Sequence, residues 1–423
     1  MKRRTALKKL GLGMASMPFL SFSGKDQVVH WDRGYGLEYT SDEEYWKQFK
    51  KAYYAVSEDF INLENGYFGI HPKSVHDAYL SIIKKVNTLG SNYMRNDFFP
   101  ELAQIVQSLE TFSGVEEGEL LITRNATEAL NVIIQGLRLE KGDEVLLSRH
   151  DYGSMIEIFE MLEQEEGIVL KIVPVPFDPK DDQEVIDAYV SQVTPKTKCA
   201  LLTHMMHLTG QILPVAKISR ALKAEGVEVV ADAAHSYAHV DFNIPDLEVD
   251  FLGANLHKWF SSPLGAGLLY VKKDRIADLR ALYGDSRLPK DDIRRLGHYG
   301  TPATPVVMTI PIALQFNKDI TVPVKEARLR HLNQYWTQQA RSIPKVIMNT
   351  PVDPNRSCAI ASFGIEGIKS GDLVKRLYDE YGVFTVAASL EGRQVTRVTP
   401  GLYSLQTDFD RLLEGIQAIA KES

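Results

Sequence analysis

The chain has 423 residues, 44% of them hydrophobic and 24% charged, and a formal net charge of −7. That length supports a large core and two domains, and the acidic balance excludes the basic face that nucleic acid requires. Its two cysteines, Cys199 and Cys358, lie in separate strand-like apolar runs with no CxxC pattern, so neither a disulfide nor zinc or thiol redox chemistry is expected.

Residues 1–23 read as an export signal. "KRRTALK" is basic, "LGLGMASMPFLSFS" is a short apolar block, and Ser21 and Ser23 are small residues before a cut at Gly24. The block is too short and too rich in Gly and Ser to be a stable membrane span. Arg3 and Arg4, followed by Leu7 and Lys8, resemble a twin-arginine signal, which implies the twin-arginine export machinery as a partner and a periplasmic destination. Residues 24–71 form a segment expected to pack with a small C-terminal domain.

Between residues 72 and 305, strand-like runs alternate with helical patterns. "GELLIT" precedes "TEALNVIIQGL", "DEVLLS" precedes "GSMIEIFEMLEQEEG", and "KCALLTH" precedes "VAKISRALKAEG" and "VEVVADAAH". Leu130, Ile133, Ile134 and Leu137 follow the i, i+3, i+4, i+7 stripe of a half-buried helix. Such alternation predicts a large domain with a mainly parallel sheet covered by helices. "GAGLLYV", after a short loop, predicts an added antiparallel strand. Residues 306–423 change character: "SCAIASFGI", "GDLVKRLYDEYG", "VFTVAA", "QVTRVT" and "TDFDRLLEGIQAIAKE" predict a smaller α+β domain. Gly382 reads as a helix stop and Thr407 as an N-cap.

Polar residues cluster where the predicted strands end, the edge at which open α/β sheets bind ligands. Asp232 ends "VEVVAD", His204 and His207 follow "CALLT", and Asn255, His257 and Lys258 follow "DFLGA". "RNATE" opens a helix, whose free N–H groups and positive dipole end can hold an anion. Asn125 or Thr127 alone is more often an ordinary cap, Asp232 alone a strand-end acid, and Lys258 alone a surface charge. In combination, an anion cradle, a strand-end acid, a lysine in apolar surroundings and a small-residue loop are the parts that pyridoxal phosphate needs. The phosphate needs the helix end, the ring nitrogen a carboxylate, and the aldehyde a lysine amine.

"VVADAAHSYAHVDFNIPDLEVDFLGANLHKWFSSPLGAGLLYV" resembles the class V aminotransferase family of fold-type I pyridoxal phosphate enzymes, and "HKW" resembles its isopenicillin N epimerase-like branch. "INLENGYFGIHPKSV", "NATEALN", "DYGSM", "TGQILPV", "GTPATP" and "TRVTPGLYSLQTDFDRL" follow in the family's order. The resemblance implies that Lys258 binds the cofactor covalently and then serves as base, that Asp232 pairs with the pyridine nitrogen, and that His235 contacts the phenolic oxygen. It places Tyr152 as the stacking aromatic, Ala126 and Thr127 at the phosphate, and Asn255 and His257 beside them. It gives Thr301 the role of completing the phosphate site of a second subunit in a homodimer, and Arg397 that of binding the substrate carboxylate. His207 stands where many relatives have asparagine, which introduces a group that ordinarily titrates near neutral pH.

The expected function is therefore pyridoxal phosphate chemistry at the Cα of an amino acid or amine-bearing metabolite. Transamination, epimerisation and lyase reactions remain open. The alternative is a C–S lyase acting on cysteine conjugates or sulfoxides without a catalytic cysteine, since "AASLEGRQVTR" lacks the cysteine a desulfurase needs. A non-catalytic binding protein on the same fold ranks lower, because Lys258, Asp232 and Arg397 are all present. A metal cluster of His204, His207, His235 and His239 also ranks below the cofactor site, and no metal is expected.

Overall fold

The apolar runs that alternate with amphipathic stretches become strands and helices in the computed structural model, which describes residues 34–284, 287–298 and 300–423. The export signal lies outside the described residues. The first strands are β1 (Ile61–Asn62), β2 (Leu120–Thr123), β3 (Glu144–Ser148), β4 (Val169–Val173), β5 (Thr197–Thr203), β6 (Glu228–Asp232), β7 (Phe251–Asn255) and β8 (Gly267–Val271).

Strands β2 to β8 form a seven-stranded sheet in the order β2-β8-β7-β6-β5-β3-β4. Neighbours pair in parallel except on both sides of β8, which runs antiparallel to β7 and β2. This matches the reading of "GAGLLYV". The segment between β7 and β8 carries no helix, and without a helical crossover a strand returns antiparallel. Adjacent residues of β5 enter opposite cores: Leu201 packs with Leu130, Leu147 and Phe159, and Leu202 with Ile105, Ile218 and Leu252. Both faces of the sheet are thus covered, which is why its strands are nearly continuous apolar runs.

The helix Ala126–Gly136 is more buried than a single stripe predicts. Ala129, Leu130, Val132, Ile133 and Ile134 are all buried with Met155, Phe159 and Leu296, so helical neighbours cover its outer side. Leu137 lies just beyond it, in extended conformation.

The C-terminal strands are β9 (Val346–Met348), β10 (Ala361–Ile365), β11 (Val383–Phe384), β12 (Val386–Leu390) and β13 (Arg393–Val398). An antiparallel sheet runs β12-β13-β10-β9. It buries Phe363 with Trp336, Leu373, Leu377, Phe409 and Ile416 from three helices. "VFTVAA" divides between two sheets, because Val383 and Phe384 pair in parallel with β1 while β12 pairs with β13. Gly382 stops the helix Ser370–Tyr381 in the left-handed conformation, at φ 68°. Thr407 is not the cap: the last helix begins at Gln406, and Asp408 reaches back to the backbone N–H of Leu405. No described helix is long and apolar enough to cross a membrane.

Candidate active site

Parallel strands deliver their carboxyl ends to one edge. There β5, β6 and β7 meet the start of the helix Ala126–Gly136 around a cavity of about 180 Å³. Ala126, Thr127, Tyr152, His207, Asp232, His235, Asn255, His257 and Lys258 all line it. Arg397 and Thr301 do not.

Asp232 closes β6, is 3% exposed, and accepts the Ala234 N–H at 2.8 Å. Among the described residues it has no ion-pair partner, and burial raises its pKa against the lowering effects of that N–H and of Lys258. Lys258 follows β7, and its Nζ lies 3.0 Å from His235 Nε2. Burial lowers its pKa to about 7, with Arg397 acting in the same sense and Asp232 and Glu64 opposing. The amine is therefore available as a nucleophile near neutral pH.

The helix start is built by three contacts. Asn125 Oδ1 caps the Glu128 N–H at 2.8 Å. Asn255 Oδ1 accepts the Ala126 N–H at 2.8 Å. Gly267 in β8 lets the strand approach, since a Cβ there would stand 2.5 Å from the Asn125 backbone. Ala126 thus gives its N–H to Asn255. Among the described residues the Thr127 N–H is left without a partner, at the positive end of the helix.

The histidines do not converge on a common point. His204 meets Phe242 edge-on and His239 stacks on Trp259, while His207 meets Tyr152 edge-on at 5.4 Å. His257 Nδ1 lies 3.1 Å from the Ala266 carbonyl. No group of three or more His, Cys, Asp or Glu among the described residues is placed to hold a metal. The expectation that His207 titrates near neutrality is corrected: burial, Arg397 and Lys258 lower its pKa to about 3, so it stays neutral. His235 is likewise held neutral, chiefly by burial and by Lys258.

Arg397 lies on β13, 0% exposed, and donates to Glu64 through Nη2 at 2.6 Å and Nε at 3.2 Å. Its third contact is Nη1 to the His207 carbonyl at 3.0 Å. Thr301 is exposed, just before the helix Thr304–Ile320. Further contributors escaped the reading of single residues. Tyr67, Phe68 and Thr203 line the cavity. Asp151 accepts the Thr203 hydroxyl at 2.6 Å and the Ser148 N–H at 2.7 Å, and burial raises its pKa to about 7. The signal for Asp151 was its place close behind the end of β3, at the same edge of the sheet as Asp232.

These residues fit pyridoxal phosphate. Among the described residues the buried Asp232 carboxylate has no ion-pair partner, the helix end has a free N–H, and His207 and His235 each keep a buried Nδ1 without a partner. The described fold is that of known proteins. The family description "Aminotransferase class-V" matches residues 70–407. The isopenicillin N epimerase of Streptomyces clavuligerus is 24% identical over 383 residues, covering 86% of this chain and 95% of that protein. The hercynylcysteine sulfoxide lyase of Schizosaccharomyces pombe is 21% identical over 374 residues, covering 85% and 94%. The apo cysteine desulfurase of Thermococcus onnurineus superposes with a TM-score of 0.76 at 18% identity, covering 86% and 96%. The family match over most of the chain, on a sheet that gathers a buried acid, a helix end and a lysine of lowered pKa, establishes that this chain belongs to the class V aminotransferase family of pyridoxal phosphate enzymes.

Proposed function

We propose that Lys258 holds the cofactor and then takes the proton from the amine-bearing carbon of a small amine or amino-acid substrate. The observation that carries this reading is the placement of the Lys258 amine, lowered to about 7, in one cavity with the unpaired Asp232 carboxylate. When bound, pyridoxal phosphate supplies an electron sink for a bond broken at that carbon. Asp232 is the acceptor that keeps the ring nitrogen protonated. The Thr127 N–H and the helix dipole hold the phosphate, and Tyr152 offers an aromatic face. His235, beside Nζ at 3.0 Å, orients the amine between its two tasks. Proton removal is common to transamination, epimerisation and β-elimination, and Lys258 serves all three as base.

Two tests bear on this. Borohydride should fix the cofactor to the peptide containing Lys258, read by mass spectrometry, and the Lys258→Ala protein should release it. In deuterium oxide, a panel of amines and of L- and D-amino acids should reveal substrates that exchange the proton on the amine-bearing carbon. Turnover without exchange would remove proton abstraction from the mechanism while leaving the cofactor in place.

The chain also fits a homodimer with shared sites. Phe68, at the cavity, is 67% exposed and Leu264, in the loop after Lys258, is 57% exposed. Such side chains suit a subunit contact. Thr301, exposed and outside its own cavity, is then available to a partner's phosphate. Twin-arginine export of a folded, cofactor-loaded protein to the periplasm completes the reading. It rests on Arg3 and Arg4 and is tested by replacing both with lysine and following periplasmic yield.

A further inference from the structure

The position that the family resemblance assigns to the substrate carboxylate already holds a carboxylate. Glu64 and Arg397 meet through two N–H···O bonds, from Nη2 to Oε1 at 2.6 Å and from Nε to Oε2 at 3.2 Å. Glu64 is held from its other sides too. Its Oε1 accepts the Tyr67 N–H at 2.9 Å and its Oε2 the Thr399 hydroxyl at 3.2 Å. The backbone cannot withdraw it easily, since Glu64 bridges Thr399 and the Asn65 N–H donates to the Thr399 carbonyl at 2.9 Å.

The pair is also roofed. Arg397 is 0% and Glu64 7% exposed, and the Tyr67 ring covers the guanidinium at 3.6 Å. Tyr67 faces the cavity; Arg397 does not reach its lining. A substrate carboxylate would have to displace Tyr67, break two charge-assisted bonds and leave Glu64 buried without its cation. Breaking a buried pair in this way lowers affinity by about two to three orders of magnitude. The pair is also electrically balanced, so it offers no net positive charge to draw a carboxylate in.

We propose that Glu64 fills the carboxylate subsite and that the substrate is a primary amine whose reacting carbon bears no carboxylate. The inference rests on the cofactor reading above and narrows its substrate class. Glu64 is then a specificity-determining residue. An amine at the end of a chain fits, whereas an α-amino group beside its carboxylate is disfavoured.

The test is an absorbance titration of the holoenzyme, following the cofactor band with n-butylamine and with L- and D-norvaline, which differ from it by the α-carboxylate. Butylamine should bind at least ~10-fold more tightly than either norvaline, a modest share of the penalty for breaking a buried pair. Glu64→Gln should raise the norvaline-to-butylamine affinity ratio at least ~10-fold, by freeing a charged donor for the ligand. A thermal melt checks that this variant folds; if it does not, the wild-type ratio alone decides. Norvaline binding as tightly as butylamine overturns the inference and leaves the cofactor reading intact. A ratio unmoved in a folded Glu64→Gln protein also overturns it. A cofactor band that responds to none of the probes overturns both readings.

Discussion

At the scale of single residues, Lys258 shows how a neighbourhood makes a reagent. An ordinary lysine is a cation at neutral pH, but removal from water disfavours the charged form. Here burial outweighs the Asp232 and Glu64 carboxylates, and the pKa falls to about 7. Only a neutral amine can attack an aldehyde, the role proposed for Lys258. The rate of cofactor capture by apoprotein should therefore rise with pH through about 7 and level off above it. Stopped-flow absorbance would read this directly. Asp232→Asn removes a charge that holds the pKa up, so its rising limb should move to lower pH. A rate flat through neutrality in both proteins would show that this amine does not control capture. His207 should add no inflection there, because its proton is already lost above about 3.

At the scale of elements, the start of the helix Ala126–Gly136 depends on what β7 and β8 omit. A Cβ at Gly253 would meet Leu130 at 2.6 Å, and one at Gly267 would meet the Asn125 backbone at 2.5 Å. The second contact is with main chain, which cannot rotate away. Gly267→Ala should destabilise the fold by ~1–3 kcal/mol, as overpacked sites do, and weaken phosphate binding by shifting the helix start. Asn125→Ala removes a cap and should cost ~1 kcal/mol with a smaller effect on the cofactor. Thermal melts and pyridoxal phosphate titrations of the two variants distinguish them. Equal cofactor affinity in Gly267→Ala and wild type would mean that close approach is not what sets the anion site.

At the scale of the molecule, long-range contacts tie together distant parts of the chain around the site. Arg328 joins Glu43 at 2.6 Å and the Ser404 carbonyl at 3.1 Å, and Glu64 joins Arg397 across more than three hundred residues of sequence. The proposed homodimer extends this assembly to a second chain. Mixing Lys258→Ala with Thr301→Ala subunits should restore activity, because each heterodimer contains one site with both defects and one with neither. Mixtures no more active than either parent, with heterodimers shown to form, would rule out the role of Thr301 across the interface.

Local pattern made much of this legible. Apolar runs alternating with helical stripes are set by short-range periodicity, so the mainly parallel sheet, the antiparallel return of β8 and the stop at Gly382 could be read without coordinates. The strand ends also named the neighbourhood of Asp232, Asn255 and Lys258, because side-chain position at a sheet edge follows from chain order. Spacing says nothing about which partner a side chain finds across the fold. The capture of the Ala126 N–H by Asn255, the loss of the His207 proton through burial and the union of Glu64 with Arg397 each join groups far apart in sequence. Desolvation and pairing depend on three-dimensional neighbours. The family resemblance could therefore mark Arg397 as a carboxylate binder, and only the tertiary structure could decide that the carboxylate at hand belongs to Glu64.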